Sequence, residues 1–172
     1  LAMEYLNGED LFAVLAREGP FDVPRTLSII DQACSSLQEA HQTGVVHRDL
    51  KTENLMVLKD TEGRDFVKVL DFGLAKVVDP KEPITAKSER DLFGTPYYMS
   101  PEQIRGKTVD PRTDIYALGA ILYTLITGRP PFQGETSYDT ITQVIEEDPL
   151  RPTVLQPKIP RDLETICLKC LQ

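Results

Sequence analysis

The amino-acid sequence predicts a mostly α chain with a small β component, an α+β class. Apolar residues recur at helical spacing through residues 24–43, and they fill nearly every position of residues 113–127. Two short β-like runs, Leu55–Leu58 and Phe66–Leu70, flank the polar loop 59–65 and read as a hairpin. Between the hairpin and the later helices, residues 71–102 contain Pro80, Pro83, Pro96 and Pro101 and show no sustained period. An irregular stretch of that length inside a compact domain is uncommon and usually functional.

In chain order, residues 1–6 (LAMEYL) read as the tail of a strand entering a connector. Residues 9–18 place Leu11, Phe12, Val14 and Leu15 in a short helix that Gly19-Pro20 stops. The next helix, 24–43, starts with Pro24 at a first helical position, runs through Leu27, Ile30, Cys34, Leu37 and His41, and ends at Gly44. Val45-Val46 is a further β-like piece. Helix 113–127 ends at Gly128, and Pro130-Pro131-Phe132 follows as a rigid turn. Residues 136–147 and 161–172 read as two more helices joined by the Pro-rich connector 149–160.

With 172 residues, 41% of them apolar and 27% charged, the chain suits one folded domain and not a disordered segment. Lys and Arg number 19 against 27 Asp and Glu, a net charge of −8, so no nucleic-acid partner is expected. Three cysteines do not make a disulfide framework, and a reducing, cytoplasmic compartment is expected. The longest apolar run, Ile115–Ile126, is too short to span a bilayer, so no membrane contact is expected from this segment. No signal-peptide pattern opens the chain. Both ends read as cut, the first inside a strand and the last inside a helix.

The chemistry-bearing segment is His47-Arg48-Asp49-Leu50-Lys51-Thr52-Glu53-Asn54, a loop between two β-like pieces. It gathers a carboxylate, an amine and an amide. A second carboxylate, Asp71, stands in Asp71-Phe72-Gly73 directly after the hairpin. Carboxylate and amide oxygens are hard ligands suited to Mg²⁺, which shares itself with waters and substrate phosphates. A separate carboxylate can orient a hydroxyl nucleophile and accept its proton. Together these are the parts needed for metal-assisted phosphoryl transfer.

HRDLKTEN, then DFG, GTPYYMSPE, DIYALG and GRPPF in that order, closely resemble the eukaryotic-type protein kinase family over essentially the whole chain. The resemblance implies a protein-kinase-like α+β fold. Residues 1–172 would then be a partial domain: hinge, catalytic loop, activation segment and a mostly helical, large C-terminal lobe with its small β-hairpin, the small lobe missing. It also implies ATP and Mg²⁺ as cofactors, with Mn²⁺ as an alternative ion, and a protein substrate. Asp49 resembles the catalytic base, Lys51 the lysine that neutralises the transferred phosphoryl group, and Thr95 the threonine that hydrogen-bonds both. Asn54 and Asp71 resemble the metal ligands. Lys51 after HRDL, together with GTPxY, resembles the serine/threonine branch; DIYALG, SPEQ and DLETICLKCL resemble bacterial members. MEYL resembles the hinge. It implies Met3 as gatekeeper, the backbone of Glu4 and Leu6 on adenine, Asp10 at the ribose and Met56 beneath the base. His47, Phe72, Glu102 and Asp114 resemble structural residues, with Glu102 pairing to an Arg beyond Gln172 and Asp114 bracing the catalytic loop.

Residues 71–102 resemble an activation segment. Arg48 beside Asp49 resembles kinases controlled by phosphorylation there. Thr85 and Ser88 are the candidate acceptors, and Glu89 or Asp91 is the candidate to replace a phosphate by pairing with Arg48. The chain holds no GxGxxG and no VAIK-like string. The piece alone is therefore expected to bind ATP weakly and to transfer little phosphate. A competing reading is a pseudokinase that works as an interaction or scaffold module; intact Asp49, Asn54 and Asp71 argue against it. A small-molecule phosphotransferase is the third, and the GTPYYMSPE and GRPPF strings argue against that. Elsewhere plain structural readings apply. Cys167-x-x-Cys170 lies in a helical pattern without metal-site partners. Cys34 reads as a small buried hydrophobe, His41 as a core-edge residue, and Tyr97, Tyr98 and Phe132 as turn packing. Glu146-Glu147-Asp148 reads as a solvated helix end.

Overall fold

In the computed structural model, which describes residues 4–72 and 96–172, short strands and helices alternate early and helices dominate late. The elements are β1 (Gly8–Asp10), α1 (Leu11–Glu18), α2 (Val23–Gln42), β2 (Leu55–Lys59), β3 (Asp65–Val69), α3 (Pro101–Ile104), α4 (Pro111–Thr127), α5 (Ser137–Glu146), α6 (Pro152–Leu155) and α7 (Arg161–Cys170). Single 3₁₀ turns span Thr52–Asn54 and Pro96–Tyr98.

Local capping chemistry sets the helix starts. Asp10 Oδ1 accepts from Ala13 N at 2.8 Å and opens α1, while Asp22 Oδ1 accepts from Arg25 N at 2.8 Å and opens α2. Asp110 caps α4 ahead of Pro111 at its first turn, and Gly128 closes it in the left-handed region at φ 81°. The hairpin folds because Asp60 Oδ1 accepts from Glu62 N (2.8 Å) and Arg64 N (2.9 Å), with Gly63 at φ 77°.

The three strands form an antiparallel sheet in the order β1-β2-β3. Register pairs Asp10 with Met56 and Met56 with Lys68, so these three share one face. Leu55, Val57 and Val67 occupy the other face and are buried. Strand β1 can pair this closely because position 8 is glycine: a Cβ there would sit 2.5 Å from Val57 O.

Helix α4 is buried along both sides. Ala117, Leu118, Ile121 and Leu125 join a core with α1, α2 and the sheet, including Leu11, Ile29, Leu37 and Leu55. Tyr116, Ala120, Tyr123 and Ile126 join a second core with Ile141, Leu163 and Cys167. The two cores meet on one helix, which explains its nearly unbroken apolar sequence. Tyr123 OH donates to Leu150 O at 2.9 Å and ties the connector down.

Several expectations need correction. Among the described residues the first strand is Gly8–Asp10, paired with Met56–Leu58, and residues 4–6 of the expected strand tail carry no strand; residues 1–3 lie outside the described residues. Val45-Val46 forms no strand; Val45 N instead bonds Ala40 O at 3.0 Å, closing α2. The buried stripe of α2 is Thr26, Ile29, Ala33 and Leu37, rotated from the expected Leu27–Ile30–Cys34 line. Cys34 and Leu27 are exposed. Within residues read as irregular, Ser100 and Gln103 form a capping box that starts α3. A short α6 interrupts the Pro-rich connector.

Candidate active site

The loop 47–54 is fixed at both ends by burial and along its backbone by side chains. Leu50 is 2% exposed and Leu55 0%, and both lie in the first core. Burial of such a side chain is worth about 1.5–3 kcal/mol, enough to hold a short loop end. Just ahead of Leu50, Arg48 adopts φ 69°, and Asp71, across the hairpin, adopts φ 61°. Non-glycine residues in the left-handed region are strained, and such strain persists where surrounding contacts over-determine it.

Those contacts converge on Asp114, which is fully buried in the first turn of α4. Its Oδ2 accepts from His47 N at 2.8 Å and its Oδ1 from Arg48 N at 2.9 Å. His41, at the end of α2, donates through Nε2 to Oδ2 at 2.7 Å. A carboxylate only accepts, so the hydrogen lies on Nε2. His41 therefore supports the loop through Asp114, a role its core-edge position in the sequence did not reveal.

His47 is 0% exposed and links the two strained segments. Its Nδ1 accepts from Asp49 N at 3.3 Å and its Nε2 donates to Leu70 O at 2.7 Å. One neutral tautomer satisfies both bonds. Phe72 packs edge-on against the His47 ring, with centroids 5.0 Å apart. Thus the residue before Asp71 and the residue after it both touch His47.

Asp49 presents a half-exposed carboxylate, and Lys51 Nζ lies 3.4 Å from its Oδ2. Asn54 Nδ2 donates to Asp49 O at 2.8 Å. That bond fixes the amide orientation and leaves Oδ1 as its oxygen for another partner. Thr52 Oγ1 lies 3.2 Å from Tyr98 OH, joining the loop to the segment that follows residue 95. Burial pushes the Tyr98 hydroxyl pKa up, and the Thr52 bond opposes this. Glu102 Oε1 accepts from Thr113 Oγ1 at 2.6 Å.

Around the sheet, Asp10, Met56 and Lys68 lie on one face, and Lys68 Nζ pairs with both Glu4 carboxylate oxygens at 2.8 and 2.7 Å. Leu6 is half-buried and Tyr5 is 88% exposed. Asp10 spends Oδ1 on the α1 cap, so Oδ2 is its remaining oxygen. Arg48 has an exposed side chain. Met3, Thr85, Ser88, Glu89, Asp91 and Thr95 lie outside the described residues.

Asn54 and Asp71 offer hard oxygen donors, and Asp71 is exposed. Among the described residues no group of three or more His, Cys, Asp or Glu could hold a metal ion. An amide oxygen and a carboxylate fit Mg²⁺ shared with phosphates and water, not a fully protein-built cage. Cys167 is buried 3.6 Å from Gly119 O, and burial pushes its thiol up to about 12. It packs α7 onto α4.

Comparison with known proteins decides the family. The protein kinase domain model matches residues 1–172. The chain belongs to the protein kinase family. It is 44% identical to the serine/threonine-protein kinase pkn3 of Myxococcus xanthus over 99% of this chain and 32% of that protein. Identity to the serine/threonine-protein kinase PknB of Mycobacterium tuberculosis is 38%, over 99% of this chain and 26% of that protein. The fold matches that of Rad53 residues 1–466, solved in complex with AMP-PNP, at a TM-score of 0.79 and 26% identity, covering 99% of this chain and 41% of that one. These relatives place the chain among bacterial eukaryotic-like serine/threonine kinases. The chain spans about a third or less of the length of the curated relatives it matches. Among the described residues no helix is long and apolar enough to cross a membrane.

Proposed function

We infer that the protein containing this chain transfers the γ-phosphoryl group of ATP to serine or threonine hydroxyls of proteins, with Mg²⁺ as the ion. The single observation that carries this reading is the Asp49 carboxylate, exposed beside Lys51 on a loop whose backbone Asp114 and His47 hold in place. Asp49 is the group that orients the incoming hydroxyl and accepts its proton. Lys51 faces the same point and offsets negative charge as the phosphoryl group moves. Thr95 is assigned to the bond between them. Bound Mg²⁺ would neutralise phosphate charge and align the γ-phosphoryl group. Asn54 Oδ1 and the Asp71 carboxylate are the residues that would hold it.

The ATP base is assigned to the backbone of Glu4 and Leu6, with Met56 beneath it and Asp10 Oδ2 at the ribose. Residues 1–172 are read as the larger lobe, completed by a smaller lobe of the same domain. The 172 residues by themselves are expected to bind ATP weakly and to transfer little phosphate. Arg48 is the proposed partner of a phosphate on Thr85 or Ser88, or of the Glu89 or Asp91 carboxylate. His47, Phe72, Glu102 and Asp114 keep structural roles.

The test uses the full-length protein with γ-³²P-labelled ATP, a basic protein substrate and Mg²⁺, followed by phosphoamino-acid analysis. Label on serine or threonine that disappears on chelation of the ion is the expected result. Absence of label from every acceptor, with the protein folded, would favour the interaction-module reading.

A further inference from the structure

Gln103 occupies the third position of α3, where Glu or Gln commonly completes a capping box. Its amide does more than cap. Oε1 accepts from Ser100 N at 3.1 Å, and Nε2 donates to Arg48 O at 2.6 Å. Both partners fix the amide orientation, because Ser100 N–H can only donate and Arg48 C=O can only accept. The Arg48 carbonyl belongs to the same peptide plane as Asp49 N–H, which bonds His47 Nδ1 at 3.3 Å. That plane carries Asp49 directly. The preceding plane is held by Asp114 through Arg48 N at 2.9 Å.

We propose that Gln103 is a positioning residue for Asp49: it clamps the strained Arg48–Asp49 peptide from the carbonyl side and couples the segment ending in Ser100-Pro101-Glu102-Gln103 to the catalytic loop. This rests on the kinase reading for its activity consequence, but the clamp itself does not. Loss of the Nε2 donor lets the left-handed Arg48 relax and moves Asp49 away from the hydroxyl it would deprotonate. The side-chain bonds of Gln103 go to Ser100 and Arg48, and not to Glu4, Leu6, Asp10 or Met56, the residues assigned to the nucleotide.

Gln103→Glu separates the two roles of the residue. A Glu at this position caps α3 as well as Gln does, so a merely structural role predicts no change. The substitution replaces the Arg48 O donor by an acceptor, so a positioning role predicts a loss. In the full-length protein, kcat is expected to fall by roughly tenfold, the size of one lost positioning bond, with the KM for ATP unchanged. Hydrogen exchange is expected to quicken at the amides of residues 47–49 and not along α4. Gln103→Met, of similar length, uncharged and without the amide donor to Arg48 O, is expected to show the same loss if the charge of the first variant unfolds the protein.

Wild-type kcat and wild-type exchange at residues 47–49 in either folded variant would overturn the proposal. Exchange needs no catalysis, so a wild-type protein that fails to transfer phosphate would refute the kinase reading and still leave the clamp decided.

Discussion

Replacing Asp114 by Asn is the most informative single-atom change in the loop. The carboxylate is 0% exposed and accepts three hydrogen bonds, two on Oδ2 and one on Oδ1. An Asn side chain keeps one acceptor oxygen and turns the other position into a donor. Whichever way the amide sits, at least one backbone N–H of His47 or Arg48 then faces another donor. A buried donor left unsatisfied costs about 1–3 kcal/mol. That is well below the roughly 5–15 kcal/mol stability of a domain, so the variant folds. The melting temperature is expected to fall by about 2–12 °C. Activity is the sharper readout. Arg48 at φ 69° stores of the order of 1–3 kcal/mol of strain that Asp114 holds in place. Releasing a kcal or two of it depopulates the productive loop by about 5–30-fold. The assay is thermal melting together with kcat for phosphate transfer at saturating Mg-ATP, both on the full-length protein. A variant that melts with the wild type and keeps its kcat would refute the reasoning that this carboxylate holds the loop.

Gly119→Ala is expected to destabilise the α4–α7 contact, because the new Cβ would lie 2.5 Å from Cys170 Cβ. Overpacking of this kind costs about 1–3 kcal/mol and outweighs the helix propensity gained, so urea unfolding should shift to lower midpoints. Thiol labelling of the native protein is expected at exposed Cys34 first and at Cys167 only on unfolding, since burial holds the Cys167 thiol at about 12. Side-chain hydrogen bonds from Arg112 hold the Asp110 carboxyl at about 2, below the usual 3.8. A depressed pKa of this sign contributes stability above pH 4 that is lost as pH falls toward 2. NMR titration should show a midpoint near 2 that rises toward the ordinary range in Arg112→Gln and, because the pair is exposed, moves the same way in high salt.

Much of the fold was legible because local signals and burial agreed. Helix α4 showed itself by an apolar run that two cores require, and the hairpin by its polar turn. The stripe of α2 is harder to read, because Thr26 and Ala33 are buried where Leu27 and Cys34 are not; small residues carry little hydrophobic signal. Helix α3 is hard to read although Ser100 and Gln103 spell a capping box, since the surrounding prolines suggest an irregular segment. At the site, residue types and order suggested which side chains carry chemistry. Apart from Asp114, which the family resemblance implies as a brace of the loop, they did not suggest what holds them. His41, Gln103 and Tyr98 meet the loop only through contacts more than forty residues apart in sequence, and no local pattern encodes such a meeting.

The central claim is that Asp49 accepts the proton in phosphate transfer to a protein hydroxyl. Its direct test is the kcat of Asp49→Asn in the full-length protein at saturating Mg-ATP and substrate. An amide of the same shape cannot take the proton, so kcat is expected to fall by about 10²–10⁴-fold while the melting temperature stays close to the wild type. A folded variant that transfers phosphate at a rate near the wild type would contradict the account.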